Sequence, residues 1–474
     1  MKNIFYFGTI MPIIFFFIMF TCRLIAESYD LVILNGLVID PISEYEKVAN
    51  IGITGDKIAI ITTEKISGKI IIDATDFIVS PGFIDILADN SFSPEKTYLT
   101  MEKYKITDGV TTVLFMHGGT DDAKKTYKYF QNVKHLTNYG YSTKVMNVRT
   151  RCKTIPDRLK LIQENLDYGN LGISHSIEYQ PTPYKEMVEY AKLAAKNNVP
   201  LFLHLRYSSK EKELDGVQEA INLAKVSGAM VHIDHIHSTG ATYHMQTALK
   251  MIKEANQQGY NVNCCVYPYS YWATYISSTR FNHGWQQRYN LNYDDLTILG
   301  TGEVLNKNSF YKYRKQYGVI VAVPEGTMSL DELFFPVLKY SWSCIASDGG
   351  IEKEKNANNH PRGAACFAKA IYECQRKHMP MKNILAKITY VPASFVPCKQ
   401  MEQRGKLQTG AIADITIFDP KTIQAKSSVA NPNQFSDGIK WVIVNGKIAL
   451  ENKKIVGYYG KLIKRNVQKQ NIKK

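Results

Sequence analysis

With 474 residues, 45% of them hydrophobic, the chain is long enough to bury more than one core, so one large and one smaller domain are expected. The formal charge is +15, but the lysines are spread along the chain rather than gathered on one segment, which argues against a nucleic-acid partner. Eight cysteines without CxxC or zinc-ribbon spacing give no structural zinc motif and no disulfide framework. Cys264, Cys265 and Cys344 fall in apolar, strand-like segments and read as buried free thiols.

The chain opens with Lys2 and an apolar run from Ile4 to Phe20, followed by Thr21-Cys22-Arg23-Leu24-Ile25-Ala26. Residues 1–26 read as an export signal, placing the protein in a periplasmic or membrane-associated setting. Cleavage after Ala26, lipidation at Cys22 and retention as a membrane tether are three outcomes compatible with it, although Phe20-Thr21 match a lipoprotein site poorly.

From residue 27 to 80, short Val- and Ile-rich runs are punctuated by Asn35-Gly36 and Gly55-Asp56, both read as tight hairpins. The same texture returns over 402–460, in Ile415 to Phe418 and in Trp441 to Val444 before Asn445-Gly446. Together they predict a small β-sandwich domain built from both terminal segments. Residues 461–474, with Lys461, Lys464, Arg465, Lys469, Lys473 and Lys474, read as a solvated basic tail.

Over 81–401 strand-like runs alternate with helical stretches, as in Leu201 to Leu205 followed by Gly216 to Val226, and Met230 to His235 followed by Thr247 to Gln257. An α/β fold is expected, a (β/α)8 TIM-like barrel with its chemistry where strands end and loops begin. At such ends stand His204, His235 and Asp348. Neutral imidazoles bind a metal such as zinc, and a nearby carboxylate takes a proton from the attacking water, a role worth about 10² to 10⁴ in rate. His232 and His237 beside them read as polar core residues.

Several stretches follow one another in a familiar order: Leu31-Val32-Ile33-Leu34-Asn35-Gly36, Pro81-Gly82-Phe83-Ile84-Asp85, Asp108-Gly109-Val110-Thr111-Thr112, His204-Leu205-Arg206, Tyr267-Pro268-Tyr269, Ser347-Asp348-Gly349, His360-Pro361-Arg362 and Gly405 to Pro420. In this the chain resembles the amidohydrolase superfamily, in its N-acyl-D-amino-acid deacylase branch, over nearly everything after the apolar start. The resemblance implies metal-binding roles for His204 and His235 and a catalytic carboxylate at Asp348. It also implies a grip on the substrate carboxylate by Arg206, and a pocket lined by Tyr267 and Arg362.

The chain also departs from that pattern. Leu87 and Asp89 occupy the places of the His-x-His pair on the first barrel strand, and Met116-His117-Gly118-Gly119 replaces a stretch that usually carries a ligating cysteine. With one site's histidines gone, a single divalent metal, zinc, is expected on His204 and His235 with Glu178 or His117 as third ligand. Leu87 then belongs to the pocket wall, and Asp89 is a substitute ligand or an orienting partner. The reading is a hydrolase of linear amides acting on a small anionic molecule such as an N-acyl-D-amino acid. The competing reading is a barrel that has lost catalysis and binds at the cell surface.

Overall fold

The computed structural model describes residues 28–88, 94–324, 329–351 and 359–465; the expected export segment with Cys22, and Asp89, lie outside the described residues. Strands from both termini join in one nine-stranded mixed sheet, knitted where Ile78–Pro81 pairs antiparallel with Ile415–Phe418. Ser28–Asp40 runs parallel to Ser67–Asp73 and to Ile78–Pro81, and the remaining ladders are antiparallel. Ile33, Ile51, Val79, Ile415 and Ile443 form the core of this sheet.

Two of the three turn signals make hairpins. Gly55, at φ 61°, turns Tyr45–Thr54 into Lys57–Thr62, and Asn445-Gly446, at φ 49° and 79°, joins Ile439–Val444 to Lys447–Glu451. Left-handed values at both central residues are what a type I′ turn requires. Asn35-Gly36 does not make a hairpin. The strand Ser28–Asp40 runs through it, and the ladder to Tyr45–Thr54 shifts register between Ile33 and Gly36, with Asn35 at φ 62°. The pair makes a bulge because a Cβ at Gly36 would lie 2.4 Å from Val79 Cγ2, so the glycine admits a neighbouring strand instead of reversing the chain.

The second sheet holds eight parallel strands in barrel order: Phe83–Asp85, Val110–Thr120, Asn138–Lys144, Ile173–Ser176, Leu201–His204, Val231–Ile233, Val262–Val266 and Ser343–Ile345. At and just beyond the ends of its two end strands, a hydrogen-bonded seam of side-chain and backbone groups joins them. Buried Asp85 accepts from the Ser347 backbone N–H (3.0 Å), the Ser347 hydroxyl (2.6 Å) and Lys105 Nζ (2.9 Å), while Gly349 N–H donates to the Leu87 carbonyl (3.2 Å). Leu87 is fully buried in an apolar cluster with Ile84, Leu114, Phe202 and Cys344. It is therefore barrel interior, not the pocket wall expected of it.

Between the seventh and eighth strands lies a separate three-stranded antiparallel sheet, Tyr271–Tyr275, Thr297–Ile298 and Ile320–Pro324, packed on a cluster of Trp272, Phe281, Trp285, Tyr289 and Phe310. The start of the basic tail is docked, not solvated. Ile463 is buried, its N–H donates to the Tyr139 carbonyl, and Lys464 Nζ sits 4.5 Å from the centre of the Tyr127 ring. All seven described cysteines are free thiols, with Cys264, Cys265 and Cys344 buried.

Candidate active site

The site is assembled from the C-terminal ends of the barrel strands. His204 is the last residue of its strand, His235 lies two beyond Val231–Ile233, and Asp348 lies three beyond Ser343–Ile345. His117 arrives by a different route. Pairing of Val110–Thr120 with Asn138–Lys144 breaks between Phe115↔Tyr141 and Thr120↔Thr143, and the extra residues bulge His117 out of the ladder. Donor atoms of His117, His235 and Asp348 all lie within 4.8 Å of one another. His204 joins them, its Nδ1 3.2 Å from His235 Nε2.

Each ring is held from behind. His204 Nε2–H donates to Glu178 Oε2 (3.0 Å), His235 Nδ1 meets the hydroxyls of Ser238 (3.0 Å) and Thr239 (3.2 Å), and His117 Nδ1–H donates to Asp234 Oδ2 (2.6 Å). Glu178 leaves His204 Nδ1 as a lone pair facing His235 Nε2, while the hydroxyls at His235 Nδ1 can donate or accept and so admit either tautomer of that ring. A proton on His235 Nε2, or a cation between the rings, satisfies this 3.2 Å approach. Neighbouring ligand atoms on a tetrahedral zinc with bonds of about 2.0–2.1 Å lie about 3.3 Å apart. The donor set fits a divalent cation.

The electrostatics agree. Burial, reinforced by His204, His117 and Arg362, holds His235 well below the ordinary histidine range, and burial lowers His204 against the pull of Glu178. Both are neutral, the form a metal needs. Burial works against the charged form of His117, but the hydrogen bond and charge of Asp234, with Asp348, outweigh it and raise its pKa. Burial pushes Asp234 up to about 6 although His117 opposes it.

Asp348 is clamped by Arg362, whose Nη2 lies 2.7 Å from its carboxylate and whose Nε donates to its carbonyl at 2.8 Å. Asp348 and His235 have φ of 49° and 28°. Left-handed backbone at residues other than glycine costs about 1–3 kcal/mol each and gathers at functional sites. A cavity of about 190 Å³, lined among others by His117, Lys144, Ser176, Tyr179, Asp348 and Arg362, opens beside the cluster. A smaller hollow of about 50 Å³ reaches His204, His235, Tyr267 and Arg280.

The remaining expected site residues divide. Arg362 and Tyr267 line the hollow, the Arg362 guanidinium 4.4 Å from the centre of the Tyr267 ring. Glu178 is beside the cluster but is not presented as a ligand. Its oxygens accept from His204, from Ser208 Oγ (2.6 Å) and from Arg280 Nη2 (2.7 Å) and Nε (3.4 Å). Burial would raise its pKa, but Arg280, His204 and Ser208 hold it at about 2. Arg206 lies outside both hollows. Its Nε and Nη2 grip Glu219 at 2.7 and 2.6 Å, and Nη2 also donates to the Thr182 carbonyl, so this guanidinium is spent on the surrounding helix rather than offered to a substrate. His232 is a core residue, stacked 4.4 Å from Phe202 and hydrogen-bonded to Asn263, and burial takes it down to about 3.

Arg280, Lys144 and Asp234 were not foreseen. Asp234 carried a signal, standing between two histidines at a strand end, and Lys144 closes the third strand. Arg280 lies in the inserted region, where nothing in its neighbourhood distinguishes it from a surface arginine.

No protein-family model matches the chain. It is 24% identical to the N-acyl-D-glutamate deacylase of Alcaligenes xylosoxydans xylosoxydans, over 89% of this chain and 93% of that protein. Among solved structures it is similar to the N-acyl-D-glutamate deacylase of Bordetella bronchiseptica complexed with zinc and a phosphonate mimic of the tetrahedral intermediate, with a TM-score of 0.76 and 22% identity, over 92% of this chain and all of that one. A D-aminoacylase whose binuclear metal centre shows one-metal activation and second-metal attenuation superposes with a TM-score of 0.75 and 19% identity, over 92% of this chain and all of that one. The chain is a distant homologue, over most of its length, of the D-aminoacylases and N-acyl-D-glutamate deacylases of the amidohydrolase superfamily.

Proposed function

We propose that the protein is a hydrolase of linear amides that removes the acyl group from an N-acyl-D-amino acid or a related carboxylate-bearing amide, using one divalent metal ion, zinc. The observation that carries this reading is the convergence of His117, His235 and Asp348 from three separate barrel strands, His117 through a bulge, with His204 against them. His204 and His235 would hold the ion, with His117 beside them. When bound, such an ion supplies Lewis acidity that polarises an amide carbonyl and acidifies water.

The chain's own residues do the rest. Asp348, 3.8 Å from His235 Nε2, takes the proton of the attacking water and delivers it to the amine nitrogen as the carbon–nitrogen bond breaks, leaving a carboxylate and a free amine. Arg362 keeps that carboxylate aimed at the cavity. Lys144, buried at the end of its strand, gives the cavity a positive lining suited to a carboxylate-bearing substrate. Zinc in the similar N-acyl-D-glutamate deacylase, and one-metal activation in the similar D-aminoacylase, support a single-ion site here.

Asp348→Asn is expected to lower turnover of a panel of N-acyl-D-amino acids about 10²- to 10⁴-fold, with the zinc content of the purified protein retained. Undiminished turnover in that variant would remove Asp348 from the mechanism. A second reading, a barrel that binds without catalysing, is favoured by the burial of Leu87 where a ligating histidine is usual. Protein purified without metal, and inactive on the whole panel when zinc is added, would decide for it.

A further inference from the structure

We propose that Glu178 and Arg280 form a positioning clamp on His204, fixing its imidazole as the Nε2–H tautomer so that Nδ1 faces His235 as a bare donor for a divalent cation. The clamp rests on the metal-hydrolase reading above and adds to it two residues that act through His204. Glu178 lies two residues beyond the fourth barrel strand and receives four protein donors: His204 Nε2–H and Arg280 Nη2 on Oε2, and Ser208 Oγ and Arg280 Nε on Oε1. A cation placed directly on Glu178 would have to displace one of them. The carboxylate instead acts from behind, where an acceptor on the far nitrogen decides which nitrogen ligates and makes it more basic.

Arg280 makes that carboxylate rigid. It is buried, in the short 3₁₀ turn Thr279–Phe281 of the inserted region, and its guanidinium carbon lies 4.3 Å from the centre of the Trp272 ring and 5.7 Å from that of Tyr179. A planar fork held against aromatic faces and bonded to both carboxylate oxygens permits one orientation of Glu178. The inserted region thereby reaches the metal-facing histidine through two hydrogen-bonded side chains. A lysine at position 280 would keep the charge and lose the fork.

The test uses the full chain stripped of metal and titrated with zinc against a competing chelator, in wild type, Glu178→Gln and Arg280→Lys. The clamp predicts an affinity lower by about 10- to 100-fold in Glu178→Gln, and a smaller loss in Arg280→Lys. The metal-free unfolding midpoint should stay near that of the wild type in at least one variant. Nitrogen-15 histidine spectra, with His204 assigned through His204→Gln, should show the single Nε2–H tautomer in wild type and a mixture in Glu178→Gln. Unchanged zinc affinity together with an unchanged tautomer in both variants would overturn the clamp. A wild type that binds no zinc sinks the metal-hydrolase reading instead, and the clamp is then decided by the tautomer alone.

Discussion

Two buried polar clusters stand close together at the mouth of the barrel, and they are built on opposite principles. At the seam, Asp85 accepts from Ser347 and Lys105 in ordinary backbone geometry, with the Lys105 and Asp85 side chains 1% and 0% exposed. In the cavity, His204 and His235 bring ring nitrogens within 3.2 Å of each other, and His235 and Asp348 adopt left-handed φ values. A saturated buried network closes a sheet; a strained one that turns imidazole nitrogens toward a cavity can take a ligand there. The first strand supplies the first kind of cluster through Asp85.

If the seam is purely structural, breaking it should cost stability and nothing specific to the site. Asp85→Asn leaves Lys105 buried against a neutral partner, and uncompensated buried charge costs about 3–5 kcal/mol. Chemical denaturation should register that loss while any folded fraction retains wild-type zinc affinity. Leu87→His tests the same division from the other side. Its imidazole would be buried among Ile84, Leu114 and Phe202, so a loss of about 1–3 kcal/mol is expected for an unsatisfied polar group, with no second equivalent of zinc taken up. Tight binding of a second equivalent would mean that the strand end still opens onto the cavity.

The barrel was legible in the alternation of strand-like and helical runs over 81–401, and its strand ends at His204, His235 and Asp348 carry side chains that plain core strands lack. What lay beyond reach depends on partners far away in sequence. Asn35-Gly36 carries the same signal as Asn445-Gly446, yet Val79 crosses the first and forces a bulge. The sheet inserted between the seventh and eighth strands interrupts a β/α alternation that gave no sign of it, and with it went Arg280. That arginine in turn decides whether Glu178 is a ligand or a support, since the carboxylate alone fits both.

Arg206 is the sharpest case, because its motif implies a grip on substrate while its guanidinium is paired with Glu219 outside both hollows. The bidentate bond to Glu219 predicts that Arg206→Ala leaves KM for an N-acyl-D-amino acid within about twofold of wild type and costs about 1 kcal/mol of stability. Lys144→Met should behave in the opposite way. A buried ammonium that meets a substrate carboxylate contributes about 1.5–3 kcal/mol, so KM should rise tenfold or more. Steady-state kinetics on both variants separates the two cations. A large KM effect at Arg206 with none at Lys144 would mean that Glu219 releases the guanidinium when substrate enters, and the cavity's anion-binding side would then have to be reassigned from the third strand to the fifth.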